Sequence, residues 1–198
     1  MAEVIVPRVE GTLKVGAGRR IGFAEFGPPT GQSVFWFHGT PGARRQIPAE
    51  AREFAEREGM RIVGVDRPGI GSSTPFLYDN VLGFTEDLRT VADRLGIHEM
   101  GVIGLSGGGP YALAAAHAMP DRVKVVGVLG GVAPTVGPDA IDGGLVSVGR
   151  HLAPLISVGR VPIGIGLTAT IRVVKPLASR GLDLFARLSP AGDRQLLG

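Results

Sequence analysis

The sequence contains no cysteine among its 198 residues, and only four histidines. Disulfides and thiolate metal sites are therefore excluded, which is compatible with a reducing compartment. The N-terminal residues MAEVIVPRVEG have no apolar core of the kind that a secretory leader needs. We therefore expect a cytoplasmic protein without a signal peptide, and we expect neither a metal nor a cofactor.

Neither a nucleic-acid surface nor a membrane span is predicted. Residues 1–142 carry 14 basic and 16 acidic residues, whereas residues 143–198 carry seven and two. The basic residues of this tail are dispersed and have no interleaved aromatic residue beyond Phe185, unlike those of a nucleic-acid patch. Residues 152–171 are apolar, but Arg160 lies near their middle and glycines and prolines interrupt them. These interruptions argue against a transmembrane helix.

Apolar runs alternate with helical patterns over the first two thirds of the chain. Residues 8–27 have the pattern of a β-hairpin. Short apolar runs predict buried strands at 34–37, 60–65, 100–105 and 123–129. Helical spacing predicts helices at 47–58, at 84–95 and directly after residue 108. Strands that alternate with helices form a mostly parallel sheet, so the sequence predicts an α/β fold.

The stretch MGVIGLSGGGPYAL, residues 100–113, organises the rest of the chain. Gly104-Leu105-Ser106-Gly107-Gly108 fits the G-x-S-x-G pattern, in which a serine lies on a sharp turn between a strand and a helix. Such a turn gives the serine a left-handed backbone, and a side chain at either flanking glycine would collide with neighbouring backbone. The pattern predicts an exposed serine hydroxyl near a helix N-terminus.

Two further motifs precede this one: HGTPG (residues 38–42) follows one predicted strand, and DRPGIGSS (residues 66–73) follows the next. The ordered trio resembles the α/β-hydrolase fold, in particular its esterase, proline-iminopeptidase-like and cofactor-free peroxidase branch. The resemblance implies a mostly parallel sheet with an N-terminal antiparallel hairpin, incomplete at its C-terminal end, plus a partial helical cap. It divides the chain into a core at 1–135 and a partial cap at 136–198.

The resemblance also implies a role for each motif residue. Ser106 matches the nucleophile, and the N–H groups of Gly107 and Thr40 match the two donors of an oxyanion hole. A cis peptide is expected between Thr40 and Pro41, and Asp66 and Arg67 are expected to pair and fix their loop. The remaining motif positions are expected to shape these turns: His38, Gly39, Gly42, Gly104 and Gly108.

A serine nucleophile needs a base, which in this family is a histidine that follows an acidic residue. Strand and helix geometry places His98 about 26 Å and His117 about 16 Å from Ser106. His38 is expected to shape the oxyanion loop, and His151 falls in the cap. Asp139 or Asp142 could supply an acid, but neither has a good histidine partner. We therefore expect the triad acid and histidine to be missing from this chain, which resembles the N-terminal two thirds of a family member.

The leading hypothesis is a serine hydrolase that acts on a small ester or amide by acyl transfer through Ser106, and that is inactive as this chain alone. One alternative is a non-catalytic chain of the same fold that binds a ligand or a partner. Another is a cofactor-free peroxidase. The expected partners are the small-molecule substrate and either a second copy of the chain or a complementing C-terminal polypeptide.

Overall fold

The chain begins with the antiparallel hairpin that the sequence predicts. In the computed structural model, which describes residues 6–134, 138 and 140, strand β1 (Val9–Lys14) pairs with β2 (Arg20–Phe26). The turn between them contains Ala17 with a φ of 54° and Gly18 with a φ of 74°. These left-handed residues reverse the chain within a few positions.

Four further strands lie where the apolar runs predict them: β3 (Gln32–Phe37), β4 (Met60–Val65), β5 (Met100–Leu105) and β6 (Val123–Leu129). The central strands of this set are the most buried, and their buried positions are apolar.

Three helices connect these strands: α1 (Ala49–Arg57), α2 (Gly83–Arg94) and α3 (Gly109–Ala118). Gly59 and Gly96, each with a φ of 66°, follow the ends of α1 and α2. Glycine is favoured there because the residue after a helix often adopts a left-handed conformation. Both helix ends are therefore confirmed at the predicted glycines.

The six strands form one mixed sheet in the order β1-β2-β4-β3-β5-β6. The hairpin strand β2 pairs antiparallel with β4, and the β3–β4, β3–β5 and β5–β6 pairs are parallel. Because β3, β4 and β5 are parallel, their carboxyl ends lie at the same edge of the sheet. The three motifs of the sequence begin at that edge.

The core lies on both faces of the sheet. On one face Phe35, Phe37 and Val102 pack with the buried side chains of α2 and α3. On the other face Trp36 packs with Ala55 of α1 and with neighbouring strand residues. Side chains alternate between these faces along each strand, so the sequence FWF of β3 supplies both halves of the core.

Strand β6 is the outermost strand at one side of the sheet, and it is unusually exposed for an apolar segment. Val125 is 64% exposed and Leu129 is 47% exposed. The predicted cap, residues 136–198, lies outside the described residues except for positions 138 and 140. Within the described part of the chain, no helix is both long enough and apolar enough to cross a membrane.

Candidate active site

Ser106 lies at the junction that the elbow motif predicts. Strand β5 ends at Leu105, a single 3₁₀ turn covers Ser106–Gly108, and α3 begins at Gly109. Ser106 has a φ of 49°, which is a left-handed conformation. Among the described residues other than glycine, Ala17 also has a positive φ. This conformation costs a residue with a Cβ about 1–2 kcal/mol, and such strain is typical of functional turns. The predicted positive φ is confirmed.

Two glycines make this turn sterically possible. A Cβ at Gly104 would lie 2.5 Å from the carbonyl oxygen of Gly108, and a Cβ at Gly108 would lie 2.7 Å from the carbonyl carbon of Phe37. Both obstacles are backbone groups, which cannot rotate away. The strand, the turn and the helix approach each other this closely only because neither glycine has a side chain.

The HGTPG loop lies against the elbow. A Cβ at Gly39 would be 3.5 Å from the Cβ of Ser106, and a Cβ at Gly107 would be 2.7 Å from the Oγ1 of Thr40. The Thr40–Pro41 peptide is cis, as predicted. The structure therefore brings together Gly39, Thr40, Ser106 and Gly107, which were assigned to one site from separate motifs.

Gln46 closes the same loop, although no sequence motif identified it. Its Oε1 accepts a hydrogen bond of 2.8 Å from the N–H of Gly39, and its Nε2 donates one of 3.0 Å to the carbonyl of Pro41. Gly42 leaves room for this side chain, since a Cβ there would lie 2.7 Å from the Gln46 Cδ. Gln46 fixes the path of the loop across the edge of the sheet.

His38 is fully buried and both of its ring nitrogens are engaged. Its Nδ1 lies 2.8 Å from the carbonyl oxygen of Gly39, and its Nε2 accepts a hydrogen bond of 3.2 Å from the N–H of Arg67. These partners fit the neutral tautomer that carries its proton on Nδ1. Burial lowers the pKa of His38, against a smaller opposing effect of the hydrogen bond to Gly39. His38 is thus occupied in shaping the loop, as the motif predicts.

The predicted pairing of Asp66 with Arg67 is wrong. The Asp66 carboxylate accepts hydrogen bonds from Arg44, at 2.8 Å from its N–H and 2.6 Å from its Nη1, and from the N–H of Ser72 at 2.9 Å. The Arg67 side chain instead donates to the carbonyls of Gly39 and Gly107. Asp66 therefore fixes its own loop and the segment at Arg44, whereas Arg67 contacts the backbone of the HGTPG loop and of the elbow.

Helix α3 begins next to the serine. Gly109 starts it, and Pro110 occupies its first turn, where the missing N–H of proline costs no hydrogen bond. The N-terminus of a helix carries a partial positive charge and free N–H groups. The elbow thus combines a strained serine with a local environment that favours a negative charge.

No second histidine of the described residues adjoins the serine. His98 lies before β5 and His117 lies in the last turn of α3, so each is separated from Ser106 by nearly a whole element. Asp139, Asp142 and His151 lie outside the described residues. The described part of the chain also has no cluster of three or more His, Cys, Asp or Glu side chains that could hold a metal ion.

Two cavities of the described residues open on opposite edges of the sheet. The larger, about 450 Å³, is lined by the first residues of β3, β4 and β5, such as Gln32, Met60 and Met100, and lies far from the elbow. A smaller cavity of about 250 Å³ is lined by Pro68, by Tyr111 of α3 and by the loop that precedes α2. Of these two, the smaller cavity adjoins the loops of the elbow side.

The chain is similar to several known proteins. Residues 32–145 match the family model described as the alpha/beta hydrolase fold. Proline iminopeptidase from Neisseria meningitidis serogroup A is 36% identical over 127 residues, which cover 63% of this chain and 40% of that protein. The chain thus spans less than half the length of this relative.

Solved structures give the same result. An alpha/beta hydrolase fold protein from Chitinophaga pinensis superposes with a TM-score of 0.56 at 26% identity, over 63% of this chain and 44% of its own. A thermophilic esterase from Thermogutta terrifontis superposes with a TM-score of 0.56 at 27% identity, over 66% of this chain and 48% of its own. The strand order, the elbow at Ser106 and the match over more than half of the sequence lead to one conclusion: this chain belongs to the α/β hydrolase fold family.

Proposed function

We propose that the chain supplies the nucleophile and the oxyanion hole of a serine hydrolase that acts on a small ester or amide. The observation that carries the proposal is the left-handed Ser106 at a strand-to-helix turn, in contact with the loop of Gly39 and Thr40. The similarity to proteins named proline iminopeptidase and esterase supports the same reaction class.

The reaction is acyl transfer. The Oγ of Ser106 attacks the substrate carbonyl carbon, and the electron pair of the C=O double bond moves to the oxygen. The N–H groups of Thr40 and Gly107 hold this oxyanion, and the N-terminus of α3 adds a favourable potential. Collapse of the tetrahedral intermediate expels the alcohol or amine, and water then releases the acyl group.

The serine proton needs a base, and His38 does not fit that role. Its Nε2 accepts the Arg67 N–H, and its Nδ1 faces the Gly39 carbonyl, so neither nitrogen is free to take a proton from Ser106. We therefore propose that a complementing polypeptide supplies the base and its acid. Without them the turnover falls by about 10⁴-fold or more, while the oxyanion hole and binding retain about 10³-fold over water.

The cavity beside Pro68 and Tyr111 supports a small apolar group on the substrate. The cavity has a volume of about 250 Å³, and its lining includes the apolar side chains of Phe76, Leu77 and Phe84. A pocket of this kind gains affinity by removing apolar substrate surface from water.

The proposal is tested with the purified chain and a short activated ester, p-nitrophenyl acetate. We expect slow acetylation of the peptide that contains Ser106, measured by mass spectrometry, and weak release of nitrophenol. Ser106→Ala removes both signals, whereas the control Ser33→Ala, at the opposite edge of the sheet, retains them.

Equal acetylation of the Ser106→Ala variant would refute the assignment of Ser106 as the nucleophile. It would favour the alternative hypothesis of a non-catalytic chain that binds a ligand or a partner. Turnover at ordinary enzymatic rates, about 1–10³ s⁻¹, by a monomer of this chain would refute the hypothesis that the chain lacks its catalytic base. In that case His38→Gln and His151→Gln variants would identify the base.

A further inference from the structure

Arg67 connects the two loops of the candidate oxyanion hole. Its Nη2 donates hydrogen bonds to the carbonyl oxygen of Gly39 at 2.9 Å and to the Oγ1 of Thr40 at 2.5 Å. Its Nη1 donates to the carbonyl oxygen of Gly107 at 3.2 Å. One guanidinium therefore contacts the HGTPG loop and the residue after the serine at the same time.

The contact with Gly39 determines where the Thr40 N–H points. The Gly39 carbonyl and the Thr40 N–H belong to the same peptide unit. That peptide is trans, because the one cis peptide of the described residues is the next one, between Thr40 and Pro41. In a trans peptide the C=O and the N–H point in opposite directions. A cation that holds the carbonyl on one side thus turns the N–H to the other side and polarises it.

We propose that Arg67 is a positioning residue of the oxyanion hole, which orients the Thr40 amide through the Gly39 carbonyl and fixes Gly107 through its carbonyl. The inference rests on the proposed function, because it takes the Thr40 and Gly107 N–H groups as the oxyanion donors. Arg67 acts through these amides and does not touch the reacting atoms.

The charge and the position of Arg67 suit this role. Within the described part of the chain, Arg67 makes no ion pair, so its guanidinium is not neutralised by a carboxylate. The guanidinium carbon lies 5.4 Å from the centre of the Tyr111 ring, which stacks in turn against Phe37 of β3. A planar guanidinium held on an aromatic face has little freedom to move.

His38 and Arg67 both contact the Gly39 carbonyl oxygen, but they contribute differently to the loop. The imidazole Nδ1 lies 2.8 Å from this oxygen and carries no charge in the neutral tautomer. Arg67 adds the full positive charge and, unlike His38, also reaches Thr40 and Gly107. Removing the charge of Arg67 is therefore expected to disturb both amides while the buried histidine remains in place.

The test compares Arg67→Met, which removes the charge, and Arg67→Lys, which keeps the charge without the planar fork. The matched control is Arg89→Met, because Arg89 also donates to a backbone carbonyl, that of Ala118, at the far end of α3. Far-UV circular dichroism establishes that each variant of the 198-residue chain is folded.

The first readout needs no chemistry. The ¹H–¹⁵N chemical shifts of the Thr40 and Gly107 amides are compared between the chain and its variants. We expect both signals to move in Arg67→Met, to move less in Arg67→Lys and to remain unchanged in Arg89→Met.

The second readout is the affinity for phenylboronic acid, which mimics the tetrahedral intermediate. A lone pair of the Ser106 Oγ forms a bond to boron, the serine proton passes to the buffer, and the boronate carries the negative charge into the oxyanion hole. We expect the affinity to fall about tenfold or more in Arg67→Met, to recover in part in Arg67→Lys and to be lost in Ser106→Ala.

The outcomes separate this inference from the proposed function. Boronate binding and Thr40 shifts that match those of the unaltered chain in Arg67→Met would overturn the role of Arg67. Absence of Ser106-dependent boronate binding in the unaltered chain would refute the proposed function, and the amide shifts alone would then decide the role of Arg67. If Arg67→Met does not fold, Arg67→Lys carries the test: amides and boronate affinity identical to those of the unaltered chain would overturn the inference.

Discussion

Gly104→Ala tests the steric basis of the elbow. A Cβ at this position would lie 2.5 Å from the carbonyl oxygen of Gly108 and 2.7 Å from the Cα of Gly109. Ordinary contacts of a Cβ begin near 3.4 Å. The start of α3 or the end of β5 must therefore move by nearly 1 Å, and the obstacles are backbone atoms that no side-chain rotation relieves.

Two opposing effects determine the magnitude. Alanine restricts the unfolded chain and so favours folding by about 0.4–1 kcal/mol. Overpacking a well-filled site costs about 1–3 kcal/mol, and a clash with the backbone of Gly108 and Gly109 lies at the upper end of that range. We expect the free energy of unfolding to fall by about 2 kcal/mol, which is a large share of the stability of a small domain.

The assay is urea unfolding followed by far-UV circular dichroism, with Gly11→Ala as the matched control. Gly11 also lies inside a strand, but a Cβ there would meet only a side-chain atom of Phe23, at 3.6 Å. The control is expected to be as stable as the unaltered chain or slightly more stable. A Gly104→Ala chain within about 0.5 kcal/mol of the unaltered chain would refute the close-approach argument.

Three further predictions concern charge, pH and the sheet edge. Asp66→Ala removes a buried carboxylate that accepts from the Arg44 guanidinium and from the N–H groups of Arg44 and Ser72, and it leaves the guanidinium paired with Glu10 alone. This change should cost about 3 kcal/mol in urea unfolding; a loss below about 1 kcal/mol would contradict the assigned contacts. Burial lowers the pKa of His38, so in the unfolded chain this side chain takes up its proton at a higher pH than in the folded chain. The free energy of unfolding should therefore decrease as the pH drops below about 6.5, by at most about 1.4 kcal/mol per pH unit. An equal slope in His38→Asn would show that another group causes the change. We also expect the chain to self-associate through the exposed strand β6 and Val125→Lys to reduce this in sedimentation velocity; an unaltered chain that stays monomeric at every concentration would refute the edge contact.

The sequence predicts the elements of this fold closely because its signals are local. The apolar run of β4 coincides with the observed Met60–Val65, and the glycines after α1 and α2 mark their ends. The elbow motif also predicts the left-handed Ser106, and the family resemblance implies the cis peptide before Pro41. Each of these features depends on residues within a few positions of each other.

The partners of charged side chains depend on tertiary structure, and there the sequence misleads. The family resemblance implies that Asp66 pairs with Arg67, but the fold brings Arg44 to Asp66 across 22 positions. Gln46 was missed for the same reason, since its role follows from the path of the HGTPG loop after β3. The predicted roles of Ser106, Thr40 and Gly107 in catalysis remain predictions, because position alone does not measure reactivity.

The chain contains a single tryptophan, and its place in the sheet makes it a built-in optical probe. Trp36 is 3% exposed, and its Nε1 has no hydrogen-bond partner among the described residues. An indole in such a dry site emits at short wavelength, and any event that lets water reach it shifts the emission to the red. Because Trp36 lies two positions before His38 on β3, its fluorescence should report, without any label, whether a ligand, a variant or a change of solvent opens the strand that supports the HGTPG loop.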